Sequence, residues 1–283
     1  MNKHNYQIRA MTCQELDIAI DWAAAEGWNP GLHDADSYYR ADPNGFFIGL
    51  LDDEPIACIS TVRYDDQFGF LGFYIVKPEF RGQGYGMAIW NTGLDYLDGC
   101  NIGLDGVLAQ QDNYRQSGFK LAYSNIRFEG QGGGDAIDNA AIVTLSELPF
   151  SDLDRYDQPF FPTGRSDFTR HWIGQSDGTA LGILQDGKLA GYGVIRPCRS
   201  GYKIGPLFAD SAEQAEALFL ALRAKAGAAD PVYLDVPEVN SAAVDLAGRY
   251  GMQRVFETAR MYTGEQPELP LDRTYGVTSF EIG

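Results

Sequence analysis

Tyr74-Ile-Val-Lys-Pro-Glu-Phe-Arg-Gly-Gln-Gly-Tyr-Gly-Met87 is the stretch whose reading decides the fold. Its first residues end an apolar run, Phe70–Val76, that reads as a strand. Pro78 has no N–H, so a strand ladder cannot continue through it. Gly82, Gly84 and Gly86 then alternate directly before a helical pattern. Without a Cβ the backbone turns tightly there, and a ligand can come close to it. The free N–H groups of a helix start and the positive end of its dipole attract an anion. Arg81 adds a fixed positive charge beside them. A pyrophosphate matches this chemistry. A P-loop needs Gly-Lys followed by Ser or Thr, which is missing, and a G-x-G-x-x-G fingerprint needs glycine where Met87 stands.

Downstream, Met87, Trp90, Leu94 and Leu97 recur at helical spacing and predict a helix over Gln83–Leu97 with these four as its buried stripe. Ile102–Leu108 reads as a short buried strand. Asp112–Ser117 reads as a short helix closed by Gly118, and Phe119–Phe128 as a strand. Upstream, Thr12-Cys-Gln-Glu15 fits a capping box ahead of Leu16, Ala19, Ile20 and Ala23. Phe46–Leu51 and Ile56–Tyr64 alternate as strands. Between these lies Gly27–Gly45, rich in Gly, Pro, Asn and Asp, which reads as a long loop or a broken helix and a candidate binding loop.

The order Val-x-Pro at 76–78 and R-x-x-G-x-G at 81–86 resembles the pyrophosphate loop of the GNAT N-acetyltransferase superfamily. Asn113-Tyr114-Arg-Gln-Ser-Gly118-Phe119 looks like a second element of that superfamily, although here Asn113 adjoins Tyr114 directly. The resemblance covers about residues 5–130. It implies an acetyl-CoA-dependent N-acetyltransferase acting on a primary amine of a small molecule or a protein. It implies a V-shaped gap between parallel strands Phe70–Val76 and Ile102–Leu108, with the backbone of Tyr74, Ile75 and Val76 pairing with the pantetheine arm. Arg81, Gly82, Gln83, Gly84, Tyr85, Gly86 and Met87 are then the pyrophosphate-side contacts, and Asn113 a further contact to coenzyme A. Tyr114 becomes the general acid on the departing thiolate, with an ordinary pKa near ~10. The alternative is a catalytically silent coenzyme A-binding module that works as a sensor or scaffold. The general base stays open among Glu26, His33, Asp34, Asp36 and a water relay. Trp28, Tyr38 and Tyr39 are candidates for the wall of the acceptor site.

The second half repeats the pattern of the first. Thr179–Leu184 and Leu189–Ile195 flank the turn Gln185-Asp-Gly-Lys188. Tyr202–Gly205 reads as a strand, and Ser211–Lys225 as an amphipathic helix capped by Ser211. Val232–Val236, Ser241–Tyr250 and Gln253–Tyr262 follow as strand, helix and strand. Leu104-Asp-Gly-Val107 is echoed by Leu234-Asp-Val-Pro237, Gly118 by Gly251, and Arg127 by Arg260. The expected class is α/β (α+β): tandem GNAT-like domains, each a mixed, mostly antiparallel twisted sheet with helices on both faces. Residues 1–145 are expected to carry the acetyl-CoA site. Residues 146–283 are expected to be a degenerate copy without cofactor, because its strand end reads Ile204-Gly-Pro-Leu-Phe-Ala-Asp210. The second half is also placed to cap the acceptor site.

The formal net charge of -17 argues against nucleic acid as a partner. It suits a cationic acceptor. Cys13, Cys58, Cys100 and Cys198 show neither C-x-x-C nor metal spacing, so no metal and a reducing compartment are expected. No apolar run approaches the ~20 residues that cross a bilayer, and Met1–Arg9 is polar. The expectation is a soluble, cytoplasmic protein with no membrane partner. Its oligomeric state is left open. Gln131–Asp135 is expected to be the most flexible stretch.

Overall fold

Thr12 and Glu15 cap each other in the computed structural model, which describes residues 5–134 and 139–283. The Glu15 N–H donates to Thr12 Oγ1 (3.3 Å) and the Thr12 N–H to Glu15 Oε2 (2.9 Å), the reciprocal pattern of a capping box. The helix that follows buries Leu16, Ala19, Ile20 and Ala23, as its spacing predicts.

The first half runs β1 (Tyr6–Ala10), α1 (Leu16–Ala25), α2 (Asp34–Ala41), β2 (Phe46–Leu51), β3 (Glu54–Arg63), β4 (Phe68–Val76), α3 (Tyr85–Tyr96), β5 (Asn101–Val107), α4 (Gln111–Gln116) and β6 (Lys120–Gln131). The second runs β7 (Ile142–Thr144), α5 (Phe150–Asp157), α6 (Ser166–Trp172), β8 (Thr179–Gln185), β9 (Lys188–Pro197), β10 (Tyr202–Ala209), α7 (Ala212–Arg223), β11 (Pro231–Pro237), α8 (Ser241–Arg249), β12 (Gln253–Tyr262) and β13 (Thr274–Gly276). The result is the expected mixed α/β class with a mostly antiparallel sheet in two like halves.

The strands form one continuous sheet in the order β1-β2-β3-β4-β5-β12-β6-β11-β10-β9-β8-β7. From either end the path takes five strands of one half and then the last long strand of the other. β12 is thus inserted between β5 and β6, and β6 between β12 and β11. Two buried ion pairs cross these seams. Arg260 on β12 grips Asp105 on β5 (Nε–Oδ1 3.0 Å, Nη2–Oδ2 2.6 Å). Arg127 on β6 grips Asp235 on β11 (Nε–Oδ1 2.6 Å, Nη2–Oδ2 2.7 Å). The repeated Asp and Arg of the sequence are therefore partners between halves, each pair bidentate.

Parallel pairing occurs twice, and each time the strands part. β4 and β5 pair from Phe68–Asn101 to Leu71–Leu104 and then separate. β10 and β11 pair from Tyr202–Val232 to Ile204–Leu234. Beyond that point β13 fills the second gap. It pairs with β10 at Leu207 and Phe208, and the Val277 N–H beside it donates to Asp235 O on β11 (2.8 Å). After β13 the buried segment Val277–Ile282 crosses to the first half.

Several elements differ from the expectation. α3 starts at Tyr85 and buries Ile89, Trp90 and Gly93. Met87 lies on its first turn and is 61% exposed, so it leaves the predicted stripe. Residues 27–45 contain the short helix α2, which packs on α6. α5 and α6 lie in a stretch that predicts no element. Each is short, and its apolar anchors, Leu153 on α5 and Phe168 and Trp172 on α6, gain a purpose only from distant partners. Gly132 and Gly133 are held rather than loose: their N–H groups donate to Asp230 O (2.8 Å) and Arg223 O (3.1 Å). Asp135 falls outside the described residues.

Candidate active site

The gap between β4 and β5 opens into a cavity of about 540 Å³. β3 pairs with β4 on its other edge, and β12 with β5 on its other edge. The facing edges beyond Leu71 and Leu104 are therefore the unpaired ones, and such edges offer a row of backbone donors and acceptors. Tyr74, Ile75 and Val76 line the cavity on the β4 side, with Gly106 and Val107 opposite.

The glycine-rich turn stands at the mouth. Gly82 (φ 75°) and Gly84 (φ 91°) have left-handed backbone, and a Cβ built at either meets nothing within 4 Å. Gly84 is the residue just before α3. From Gly82 through Met87 no backbone N–H donates to any group among the described residues. Such a row of free donors at a helix start fits an anion. Arg81 lies beside it; its Nε donates to Val76 O (2.8 Å) and its guanidinium pairs with Glu26. Gly82, Gly84, Gly86 and Met87 line the cavity with Arg81. The side chains of Gln83 and Tyr85 turn elsewhere, Gln83 to Glu79 O (2.9 Å) and Tyr85 onto the ring of Tyr6 (4.7 Å).

Tyr114 also lines the cavity. Its ring lies on Gly106, where a Cβ would sit 2.1 Å from Tyr114 Cε2, and stacks on Trp90 at 5.7 Å. Its hydroxyl donates to no group among the described residues. Burial, with Tyr74 nearby, pushes the phenol up to about 12. Asn113 Nδ2 instead donates to Gln110 Oε1 (2.6 Å).

The four acidic and imidazole candidates do not converge. Glu26 lines the cavity but is held by Arg81. His33 faces Asp177 at 3.3 Å, and Asp36 accepts from the Cys13 thiol at 3.7 Å. Asp34 is buried and gripped by Arg196 (Nε–Oδ1 2.7 Å). Burial pushes its carboxyl up, but Arg196, Lys203 and the Gly31 N–H outweigh this and leave it lowered. It is a structural anion, out of reach of a substrate. Trp28 does wall the cavity, whereas Tyr38 is fully buried and Tyr39 stacks on Phe46.

The second half contributes what local pattern could not show. Phe256 and Thr258 on β12, and Phe280 and Glu281 on the segment after β13, line the same cavity. The Arg127 guanidinium lies 5.7 Å from the Phe256 ring and 5.0 Å from that of Phe280. The only sequence signal was the repeat itself, which placed Arg127 and Arg260 in matching positions. The segment is fixed from below: Ser60 Oγ donates to Glu281 O (3.1 Å) and the Tyr64 hydroxyl to Ile282 O (2.8 Å). Gly72 makes this approach possible, because a Cβ there would lie 2.1 Å from Glu281 O. Gly72→Ala is accordingly expected to cost about 1–3 kcal/mol of stability through overpacking, read as a lower denaturant midpoint. An unchanged midpoint would show that the segment moves aside freely.

Among the described residues no group of His, Cys, Asp or Glu is arranged to hold a metal ion, and no helix is long and apolar enough to cross a membrane.

Two family models match the chain. One, described as the acetyltransferase (GNAT) family, matches residues 13–119, and one described as an acetyltransferase (GNAT) domain matches residues 153–276. The chain is 28% identical to holothin acyltransferase of Pseudoalteromonas sp. (strain SANK 73390), covering 100% of this chain and 97% of that protein. It is 24% identical to the uncharacterized N-acetyltransferase YitH of Bacillus subtilis (strain 168) over 81% of each. A putative acetyltransferase from Pyrococcus horikoshii has the same fold, with a TM-score of 0.83 at 21% identity, over 100% of this chain and 98% of that one. So does a tandem GNAT protein from the clavulanic acid biosynthesis pathway, with a TM-score of 0.65 at 13% identity, over 93% and 100%.

Proposed function

Since the chain belongs to the GNAT acetyltransferase family, as a member with a second GNAT domain in its C-terminal half, we propose that it transfers an acetyl group from acetyl-CoA to a primary amine at the β4–β5 gap. One observation carries this reading. Free N–H groups at the α3 start, the unpaired edge of β4 and the uncommitted phenol of Tyr114 all face one cavity. Those N–H groups and Arg81 suit the pyrophosphate. The edge of Tyr74, Ile75 and Val76 suits an amide-bearing arm that pairs as a strand does. Acetyl-CoA supplies an activated thioester, and the protein supplies orientation and charge stabilisation.

Burial refines the role of Tyr114. At a pKa of about 12 the phenol is a weaker acid than an ordinary thiol, whose pKa is about 8.5. Its first contribution is therefore a hydrogen bond to sulfur as negative charge builds there, with the proton following. For the second gap we read no cofactor, because β13 lies in it.

The acceptor must share about 540 Å³ with the arm of acetyl-CoA, which favours a compact amine. The name of one relative makes holothin the first acceptor to try. The test is thiol release from acetyl-CoA with holothin and a panel of primary amines. Amine-dependent release supports the reading. Saturable acetyl-CoA binding without release for any amine would leave the silent module instead. In the same assay Gly84→Ala is expected to raise the acetyl-CoA KM about tenfold, since left-handed backbone costs a residue with a Cβ about 1–2 kcal/mol. A KM equal to that of the unaltered protein would remove the turn from the donor site.

A further inference from the structure

We propose that Glu281 is the base that takes the proton from the attacking amine, so that the second half completes the active centre of the first; this rests on the acyl-transfer reading above. Three carboxylates line the cavity. Glu26 is paired with Arg81, and Asp105 is clasped by Arg260 through both oxygens. Glu281 alone of the three makes no salt bridge to a Lys, Arg or His among the described residues. Its Oε2 accepts from the Ser279 hydroxyl (2.7 Å) and lies 3.1 Å from that of Tyr38. Its Oε1 has no hydrogen-bond partner among the described residues, which leaves a carboxylate acceptor uncommitted beside the cavity.

The position is as informative as the chemistry. Gly72 is the first residue of β4 beyond the last β4–β5 pair, Leu71–Leu104. The Glu281 carbonyl lies against it, at the apex where the strands part. The free N–H groups of the α3 turn mark the opposite, open end. An arm held at the turn and laid between the strands brings its thioester to the apex, so an amine attacking there meets Glu281. Phe280 and Phe256 flank the same space with Arg127 behind them.

Ser279 and Tyr38 fix the rotamer of this carboxylate, and Tyr38 is itself wedged between Phe73 and Trp172 (5.8 Å each). Glu281 acts electrostatically on Arg127 and on the buried Lys203.

The amine lone pair forms the C–N bond to the thioester carbonyl, and the C–S bond breaks with its electron pair passing to sulfur. The proton lost by nitrogen goes to Glu281 Oε1. The proton gained by sulfur is that of the Tyr114 hydroxyl, and exchange with solvent restores both groups.

The test compares the full-length chain with Glu281→Gln and Glu281→Asp, measuring thiol release with one active amine and acetyl-CoA binding by calorimetry. Glu281→Gln is expected to lower kcat about a hundredfold or more while acetyl-CoA affinity stays within about twofold. Glu281→Asp, still a base but shorter, is expected to fall between the two. Should Glu281→Gln fail to fold, Glu281→Asp decides: lowered kcat at unchanged acetyl-CoA affinity supports the role, and full kcat overturns it. Full turnover by Glu281→Gln overturns the base role and leaves acyl transfer standing. Equal losses of kcat and acetyl-CoA affinity in both variants also overturn it, because they mark a structural residue. Unaltered protein that binds acetyl-CoA but releases no thiol with any amine overturns both readings.

Discussion

Residues 1–145 expressed alone are expected to show no cooperative thermal transition, although they contain the whole glycine-rich turn and Tyr114. The cause is the interleaved sheet. Without the second half, β5 loses its antiparallel neighbour β12 from Gly103 to Val107, and β6 loses both of its partners, β12 and β11. β12 is antiparallel to both β5 and β6, so β6 runs parallel to β5 and would need a different ladder and register to take the vacated place. Asp105 is left without Arg260, and Arg127 without Asp235. Breaking one buried pair costs about 3–5 kcal/mol. Two such losses approach the whole stability of an ordinary domain, about 5–15 kcal/mol. Circular dichroism through a thermal ramp is the measurement. A fragment that melts cooperatively and binds acetyl-CoA would show that the first half folds by itself. Removing the second half is therefore a poor probe of acceptor selectivity; single substitutions at Phe256 or Phe280 are the cleaner one.

Tyr114→Phe is expected to lower kcat by about 10²–10⁴-fold, with acetyl-CoA affinity little changed. The ring keeps its stacking on Trp90 and its seat on Gly106, and only the hydroxyl is lost. The pH profile gives a second check. A group raised to about 12 keeps its proton throughout the neutral and mildly alkaline range. Loss of Tyr114's proton thus adds no basic limb to the profile below that value. Undiminished turnover in the Phe variant would remove Tyr114 from the reaction.

The parts legible in the sequence were those whose cause is local. Pro78, the alternating glycines and the helix after them lie within one short stretch, and they form the turn at the cavity mouth. Ser211 caps α7 through the Gln214 N–H (3.3 Å), as its spacing predicts. Met87 was misplaced because periodicity cannot tell a helix's first turn at a cavity mouth from its buried middle. Asp34 read as a loop carboxylate because its partner, Arg196, is 162 positions away. Glu281 gave no signal at all. What makes it notable is Gly72, Ser60 and Tyr38, none of which is near it in the chain. Likewise, the repeated Asp and Arg were visible as echoes, but nothing in their spacing said that each would pair with the other half.

β13 and the segment after it join the second gap to the first site within ten residues, Thr274–Gly283. This has a consequence on the timescale of descent. If the second half binds no cofactor, as proposed above, its sequence would ordinarily drift, since its errors go unread. A change that loosens β13 from β10 would also shift Phe280 and Glu281, which line the cavity of the first half. On that reading, selection for turnover in one half would reach through the tail and preserve the shape of the other as the mount for its sibling's wall.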